Sequence, residues 1–400
     1  MPGPLDGFRV IDLTSMISGP FATMILADQG ADVIKIENPA AGGDYVRKAA
    51  NRRGEFSAAF LNNNRNKRSV ALNLKDPRGV ELLLRLSTDT DVFIQNFRPG
   101  VAERIGVGEE AIRKVAPNVI YVSISGFGSN GPYATKPVYD PLVQAVSGLA
   151  TVQAGSDDDR PRLVRTILPD KLTAITASQA ITAALLARER SGEGQHVELS
   201  MLDSVVFFLW GSDMGSQTFI GNELPQQAAA SFVDLVYESA DGYLTVAVMS
   251  DKEWRGLTEA LEKPEWLDDE RFTTPALRDR NINDRIAITQ AVLLTRPAAQ
   301  WLERLEQAGV PCAPVLTRNE MIQHPQVIAS GIIVENEHKD VGPLRQTRNA
   351  AEFSGTQTAV RYGAPRLGEN TREILGELGL SAGEIDQLAS EQVLATGPSP

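Results

Sequence analysis

The chain has 400 residues, 42% of them hydrophobic, with 22% charged side chains and a formal net charge of −12, the balance of a folded globular protein rather than a disordered one. The acidic surplus speaks against a surface for nucleic acid or an anionic membrane, which would be basic, and leaves room only for one anionic ligand in a local basic pocket. A single cysteine, Cys312, excludes an intrachain disulfide and a thiolate metal cluster.

No apolar run approaches the roughly 18 residues of a membrane span, and the opening MPGPLDGFRVIDLTS lacks the basic and apolar regions of a secretory signal. A cytoplasmic protein of about two or three domains is expected. Phe8–Thr14 reads as a strand, followed by a loop and a helix from Pro20 to near Gly30. Ala31–Glu37, Ser69–Leu74, Asp91–Asn96 and Val119–Ser125 read as further strands, with a helix at Arg78–Ser87 among them. Their near-continuous apolar runs are those of buried parallel strands, and the alternation predicts an α/β, Rossmann-like large domain over 1–201.

Asp170 stands directly ahead of a helical stretch, Leu172–Arg188, whose Ile175, Ile181, Leu185 and Leu186 are expected to face a core. His196–Met201 is another strand. Val233–Ser250 holds two alternating runs around Ala240–Gly242, a hairpin signal, and helical patterns follow at Lys252–Glu262, Asn283–Leu294 and Ala298–Ala308. A smaller α+β domain over 229–317 is expected. The tail beyond Ser381, ending in GPSP, is expected to fray.

The chemistry is poor in histidine. His196 sits inside a strand pattern and is expected to be a satisfied, half-buried side chain; His324 and His338 are expected on surface loops. Neither a serine–histidine mechanism nor a zinc site finds its residues. Gly126–Gly131 matches G-x-G-x-x-G, which would support a nicotinamide-dependent oxidoreductase if a helix opened within it. Pro132 and Pro137 follow instead, so an extended loop is expected. Basic residues gather in the N-terminal half (Arg65, Lys67, Arg68, Lys75, Arg98, Arg104 and Lys136), with Asn96, Phe97 and Tyr139 nearby to hydrogen-bond or stack. Such groups suit phosphates and a nucleotide.

The blocks LDGFRVIDLTSMISGPFATMILADQGADVIKIENP, NRNKRSVALNLKDPRG, DVFIQNFRPGVAERIGVG, YVSISGFGSNGPYATKPVYDPLVQAVSG, GEGQHVELSMLDS, GVPCAPV and APRLGENTREIL, in this order, resemble the class III CoA-transferases, a family that includes formyl-CoA and carnitine CoA-transferases. The resemblance runs over roughly residues 4 to 380. It implies a catalytic aspartate at Asp170, in LPDKLTA. It also implies a CoA site drawn from Met16, Ile17, Leu72, Leu74, Lys75, Asn96, Phe97, Arg98, Arg104, Lys136 and Tyr139. No tightly bound cofactor is implied; CoA and acyl-CoA enter as substrates, and the other partner is a small carboxylic acid. The implied assembly is an interlocked homodimer, each subunit having linkers near 202–228 and 318–345, with 346–400 packing back on the large domain.

The family mechanism implied is CoA transfer through an aspartyl anhydride and an aspartyl-CoA thioester. A carboxylate is ionised near neutral pH and needs no partner base, which agrees with the scarcity of histidine. Two departures bear on substrate: Asn38 stands where some members have arginine, and LTVAVMSDKEW lacks the glycine-rich loop of formyl-CoA transferase. Arg47 or Lys48 is a candidate cation for the acceptor carboxylate. A racemase of the same fold would need a histidine where Tyr139-Asp140 stands; a non-catalytic CoA-binding relative remains a further alternative.

Overall fold

The computed structural model describes residues 2–155, 158–221 and 235–397. It divides into two compact units, one formed by 1–229 with 331–400 and the other by 230–330.

In the first unit, β1 (Arg9–Leu13) leads through α1 (Ser18–Asp28) to β2 (Asp32–Glu37). Then come β3 (Lys67–Leu72), α2 (Pro77–Leu86), β4 (Val92–Gln95), β5 (Ile120–Ser125), α3 (Asp140–Val146), α4 (Leu168–Ser191) and β6 (His196–Ser200). The six strands are parallel in the order β3-β2-β1-β4-β5-β6, and Leu394–Ala395 adds an antiparallel strand outside β3. Strands buried on both faces need two cores, and both are present. Ile11, Phe93 and Tyr121 join Leu83 of α2 and Leu375 on one face. Val10, Val33 and Val122 join Leu26 of α1 and Ile181 of α4 on the other.

This is a mixed α/β fold with a parallel sheet, as the strand patterns predict. The chain winds outward from β1 through β3, then returns to β4 and winds the other way. In such sheets ligands bind where the carboxyl ends of the two divergent strands leave a crevice. Here those ends are Leu13 and Gln95.

Several expectations are corrected. α4 starts at Leu168, so Asp170 lies within its first turn rather than ahead of it. Ile181 and Leu185 are buried, but Ile175 and Leu186 are exposed. The face that packs consists instead of Thr173, Ala174, Ala177, Ser178, Ile181, Ala184 and Leu185, small residues at helical spacing that admit a close neighbour. The tail is ordered past Ser381: Ala382–Ser390 is a helix with a Ser381/Glu384 capping box, and Leu394–Ala395 pairs with β3. Of the terminal GPSP, 398–400 lie outside the described residues. His338 is no loop residue. It ends the strand Ile333–His338, is buried, and its Nε2 lies 2.9 Å from the Ala364 carbonyl.

Helix Met201–Trp210 opens the stretch expected as the first linker, of which 222–228 lies outside the described residues. Residues 318–345 carry two short helices and most of the hairpin Ile333–His338/Gly342–Thr347.

The second unit holds a three-stranded antiparallel sheet in the order Val236–Glu238, Tyr243–Val246, Cys312–Pro314. The first two strands form the hairpin expected around 240–242. Its core is aromatic, built on Trp254, Trp266, Phe272 and Trp301; the indole N–H of Trp301 donates to the Leu293 carbonyl at 2.8 Å, so the buried ring carries no unpaired donor.

Candidate active site

The loop after β1 is tied down at nearly every backbone polar group. The Thr14 N–H donates to Asp12 Oδ1, and the Thr14 carbonyl accepts from Lys35 Nζ at 2.9 Å. Asn96, just past β4, accepts from Ser15 N–H at 3.0 Å and donates to the Ser15 carbonyl at 2.8 Å. The Met16 N–H donates to Asp44 Oδ1 at 3.1 Å. Met16 itself is held at φ 70°, a left-handed conformation that costs a non-glycine residue roughly 1–2 kcal/mol. α1 then starts at once, with no side-chain cap. At Gly19 a Cβ would meet the Thr14 side chain at 2.3 Å, so only glycine lets the helix begin this close to the loop.

Beneath the loop lies a buried ionic network. Lys67 Nζ donates to Asp12 Oδ2, the Pro20 carbonyl and Asn64 Oδ1, each at 2.9 Å. Lys35 lies 3.1 Å from Asp44, and Arg47 grips Glu37 through two bonds of 2.8 and 2.7 Å. Asp12, Lys35 and Lys67 are fully enclosed.

The first turn of α4 faces this loop across a cavity of about 320 Å³. Asp170, Met16, Ile17, Asn96, Phe97, Arg98, Lys136 and Tyr139 all line it. Burial, and after it the charge of Asp140, push the Asp170 carboxyl up to about 6, while the amide and hydroxyl of Ser18 act against the rise. Asp140 is the first residue of α3. It accepts from the Asp170 N–H at 3.4 Å and from Gln144 at 2.6 Å, and burial raises its pKa too. Asp170 therefore sits in the first turn of α4 and against the start of α1, where the Ser18 amide favours negative charge.

A second cavity, of about 450 Å³, adjoins the carboxyl ends of β1, β2 and β3 and contains Leu72, Leu74 and Lys75; Ser15 and Phe97 line both cavities. Asn38 lines the second one and caps the turn Pro39–Ala41 by accepting from Ala40 N–H. Arg104 lies exposed on the short helix Val101–Ile105 and lines neither cavity. Lys136 rests over the Tyr133 ring at 3.9 Å.

Several candidates from sequence have other work. Arg65 is buried against Asp28, Lys67 against Asp12, and Arg68 pairs with Asp32, Glu373 and Glu377. They are internal supports rather than phosphate ligands. Arg47 is buried on Glu37 with its guanidinium 3.7 Å over the Phe60 ring, and so cannot meet an acceptor acid; Lys48 is exposed and donates to the Ala41 carbonyl. Gly126–Gly131 runs as a loop, and the next helix begins only at Asp140.

His196 bridges Ser123 Oγ (2.8 Å) and Glu109 (2.9 Å), while Gln95 also donates to Ser123, a satisfied, half-buried array as expected. Sequence reasoning missed Ser18, Asp140 and the ionic network. The signal for the network was present: Asp12, Lys35 and Glu37 interrupt strands that are otherwise apolar.

Among the described residues, no group of three or more His, Cys, Asp or Glu could hold a metal ion, and no helix is long and apolar enough to cross a membrane. A family model described as CoA-transferase family III matches residues 5–371. The chain is 34% identical to succinyl-CoA:glutarate CoA-transferase of Mus musculus, over 98% of this chain and 90% of that one. It is 36% identical to acetyl-CoA:oxalate CoA-transferase of Acetobacter aceti, over 92% and 94% respectively. The crystal structure of a CAIB/BAIF family protein from Brucella suis superimposes with a TM-score of 0.82 at 29% identity, covering 94% of this chain and 100% of that one. A family match over nearly the whole length, with relatives above 30% identity named for the same chemistry, establishes that this chain belongs to CoA-transferase family III and is a CoA-transferase.

Proposed function

We propose that Asp170 is the nucleophile in a transfer of CoA from an acyl-CoA to a carboxylic acid. The observation that carries this reading is its carboxyl group, half-desolvated at the meeting of two helix N-termini, in the crevice where the sheet changes direction.

An Asp170 oxygen attacks the thioester carbonyl, the C–S bond breaks, and a mixed anhydride and CoA thiolate result. The thiolate attacks the aspartyl carbonyl, releasing the donor acid and leaving an aspartyl-CoA thioester. The acceptor carboxylate then attacks that thioester, and the returning thiolate takes the acceptor acyl group and frees Asp170. Each return attack is fast because the thiolate stays held by its nucleotide end, which makes the step effectively intramolecular. Amides at the start of α1 stabilise the charge that develops on the carbonyl oxygen.

In this reading the nucleotide end of CoA occupies the cavity at Leu72, Leu74 and Lys75. The pantetheine arm passes Ser15 and Phe97 to reach Met16, Ile17, Lys136 and Tyr139, while Asn96 acts by clamping the loop. Arg104, exposed beyond the cavities, is assigned to the phosphates outside them. The relatives named for glutarate and oxalate support a short dicarboxylate as acceptor, and the exposed Arg98 and Lys136, in no ion pair among the described residues, supply cations for it.

Quenching the enzyme in acid during turnover with isotopically labelled acyl-CoA tests the mechanism. The expected product is an acyl or CoA adduct on the peptide carrying Asp170, read by mass spectrometry; no adduct on that peptide would refute it. The pH dependence is a second check. A carboxyl held near 6 is protonated, and no longer nucleophilic, below that value. The kcat/KM of the free enzyme is therefore expected to fall about tenfold per unit of pH below about 6 and to be flat just above it. A profile flat down to pH 4.5 would assign the chemistry elsewhere.

We also propose that the subunit has a large domain over 1–201 with 346–400 and a small one over 229–317, joined by linkers into an interlocked homodimer. Ile175 and Leu186 on α4, with Phe207, Phe208 and Trp210 on the next helix, leave apolar side chains open to solvent, which a partner subunit would cover. Light scattering is expected to give twice 43.3 kDa; a stable monomer would exclude the arrangement.

A further inference from the structure

We propose that the buried pair Lys35–Asp44 is a positioning device for the reaction, holding the left-handed turn at Met16 and, through it, the first amide of α1 against the Asp170 carboxyl. The inference rests on Asp170 being the nucleophile and adds which residues keep its surroundings in register.

Asp44 divides its two oxygens between the loop and the network. Oδ1 accepts from the Met16 N–H at 3.1 Å and from the Val46 N–H at 3.1 Å; Oδ2 meets only the Lys35 ammonium, at 3.1 Å. Lys35 in turn donates to the Thr14 carbonyl at 2.9 Å. One ion pair thus grips the loop on both sides of Ser15, by the carbonyl before it and the amide after it. The backbone N–H of Asp44 donates to Glu37 Oε1 at 3.0 Å, and Arg47 locks that carboxylate in turn, so the pair cannot slide.

Released from this grip, Met16 has every reason to leave φ 70° for the right-handed or extended regions. Met16 lies two residues before Ser18, so that rotation would swing the start of α1 away from Asp170. Simple structural support would hold the fold without caring where Ser18 points. A positioning role makes the Asp170 titration depend on Asp44, although the two carboxylates do not touch.

Asp44→Ala is expected to lower kcat roughly thirtyfold to a hundredfold, as displacement of a reacting group by about an ångström does, with KM for acyl-CoA within about threefold of the native value. Because Ser18 lowers the Asp170 pKa, the acid limb of kcat/KM should move to higher pH. The other groups around that carboxyl stay in place: Asp140 from α3, Lys171 beside it on α4, and Arg98, Lys136 and Tyr139 around the cavity. Asp44→Asn keeps an acceptor for the Met16 N–H and should recover kcat to within about fivefold. Met16→Pro deletes the same N–H and forbids a positive φ without touching the buried pair, and should reproduce the loss and the shifted limb.

Native kcat with an unmoved acid limb in a folded Asp44→Ala enzyme would overturn the proposal. So would native kcat in Met16→Pro, which decides the matter alone if Asp44→Ala does not fold. Asp170→Asn, run alongside, separates the two readings: if it is inactive while Asp44→Ala is unimpaired, only the positioning role fails. If it is active, the nucleophile assignment fails first.

Discussion

Asp170→Asn is expected to abolish CoA transfer, by about 10⁴-fold or more, and at the same time to make the protein more stable. The amide fills the same space but offers no anionic oxygen to attack a thioester, so no anhydride forms and the cycle cannot begin. Binding of CoA, measured by calorimetry, should survive, because the cavity proposed for its nucleotide end, at Leu72, Leu74 and Lys75, does not include Asp170.

The gain in stability follows from the direction of the carboxyl's shift. Burial and the neighbouring Asp140 raise it from an ordinary 3.8 to about 6, so the folded protein holds that proton more tightly than the unfolded chain does. Its contribution to folding is therefore fully favourable below about 3.8 and is lost as pH rises through about 6. At pH 7 the ionised group opposes folding by up to about 2–3 kcal/mol, less where solvent enters the cavity. Asn removes that opposition. Thermal unfolding at pH 7 is expected to shift upward by several degrees, and the gain should vanish when both proteins are melted near pH 4. An Asn variant that turns over at the native rate, or that is destabilised at pH 7, contradicts the assignment of a half-desolvated nucleophile.

The second large effect is expected in the ionic network. Asp12→Ala should destabilise the protein by about 3–5 kcal/mol, because it leaves Lys67, fully enclosed, without its carboxylate partner. Complete burial works to raise the Asp12 pKa, but the ammonium groups of Lys67 and Lys35 and the hydroxyls of Thr14 and Thr23 outweigh it and hold the carboxyl well below its usual range. The sign is opposite to that of Asp170. Asp12 stabilises the fold above about 3.8, and this contribution is lost as pH falls below that value, toward its depressed folded pKa.

Lys67 shows the cost of the same burial, which lowers it to about 8 against the pull of Asp12. Replacing both charges together, as Asp12→Leu with Lys67→Met, is expected to recover much of the loss in urea unfolding, since two apolar groups need no desolvation of charge. If the double variant is as unstable as Asp12→Ala, the damage lies in packing or in the Thr14 and Thr23 donors that Asp12 also satisfies, rather than in the stranded ammonium. The double variant should still transfer CoA more slowly than the native enzyme, because Asp12 also accepts from the Thr14 N–H at the foot of the loop.

What could be read before any coordinates was the part that short stretches of chain decide locally. Val92–Ile94 and Ile120–Val122 are apolar runs, Val10–Leu13 and Val33–Ile36 are runs broken by one charge each, and a strand buried on both faces must be largely apolar wherever it pairs. Asp170 is marked out by the family resemblance rather than by its neighbours, and the helix expected to follow it begins two residues before it, at Leu168, with Pro169 in its first turn. A one-dimensional reading errs on charge. Arg47, Arg65 and Lys67 are cations in a basic region of sequence, and nothing in their neighbours reveals that Glu37, Asp28 and Asp12 wait within 3 Å.

The site is likewise a product of long-range closure. Ser15 and Asn96, 81 residues apart, are joined by two hydrogen bonds because β1 and β4 pair side by side. Asp140 is brought to Asp170 across 30 residues. By itself the sequence determined the strands and most of the helices, because periodicity and composition act over a few residues; the family, and Asp170 as the carboxylate to test, followed from the resemblance of its blocks in order. Only the tertiary structure decided which charges are internal, where the cavities open and how high that carboxyl is pushed. Those depend on solvent exclusion and on distances between groups far apart along the chain.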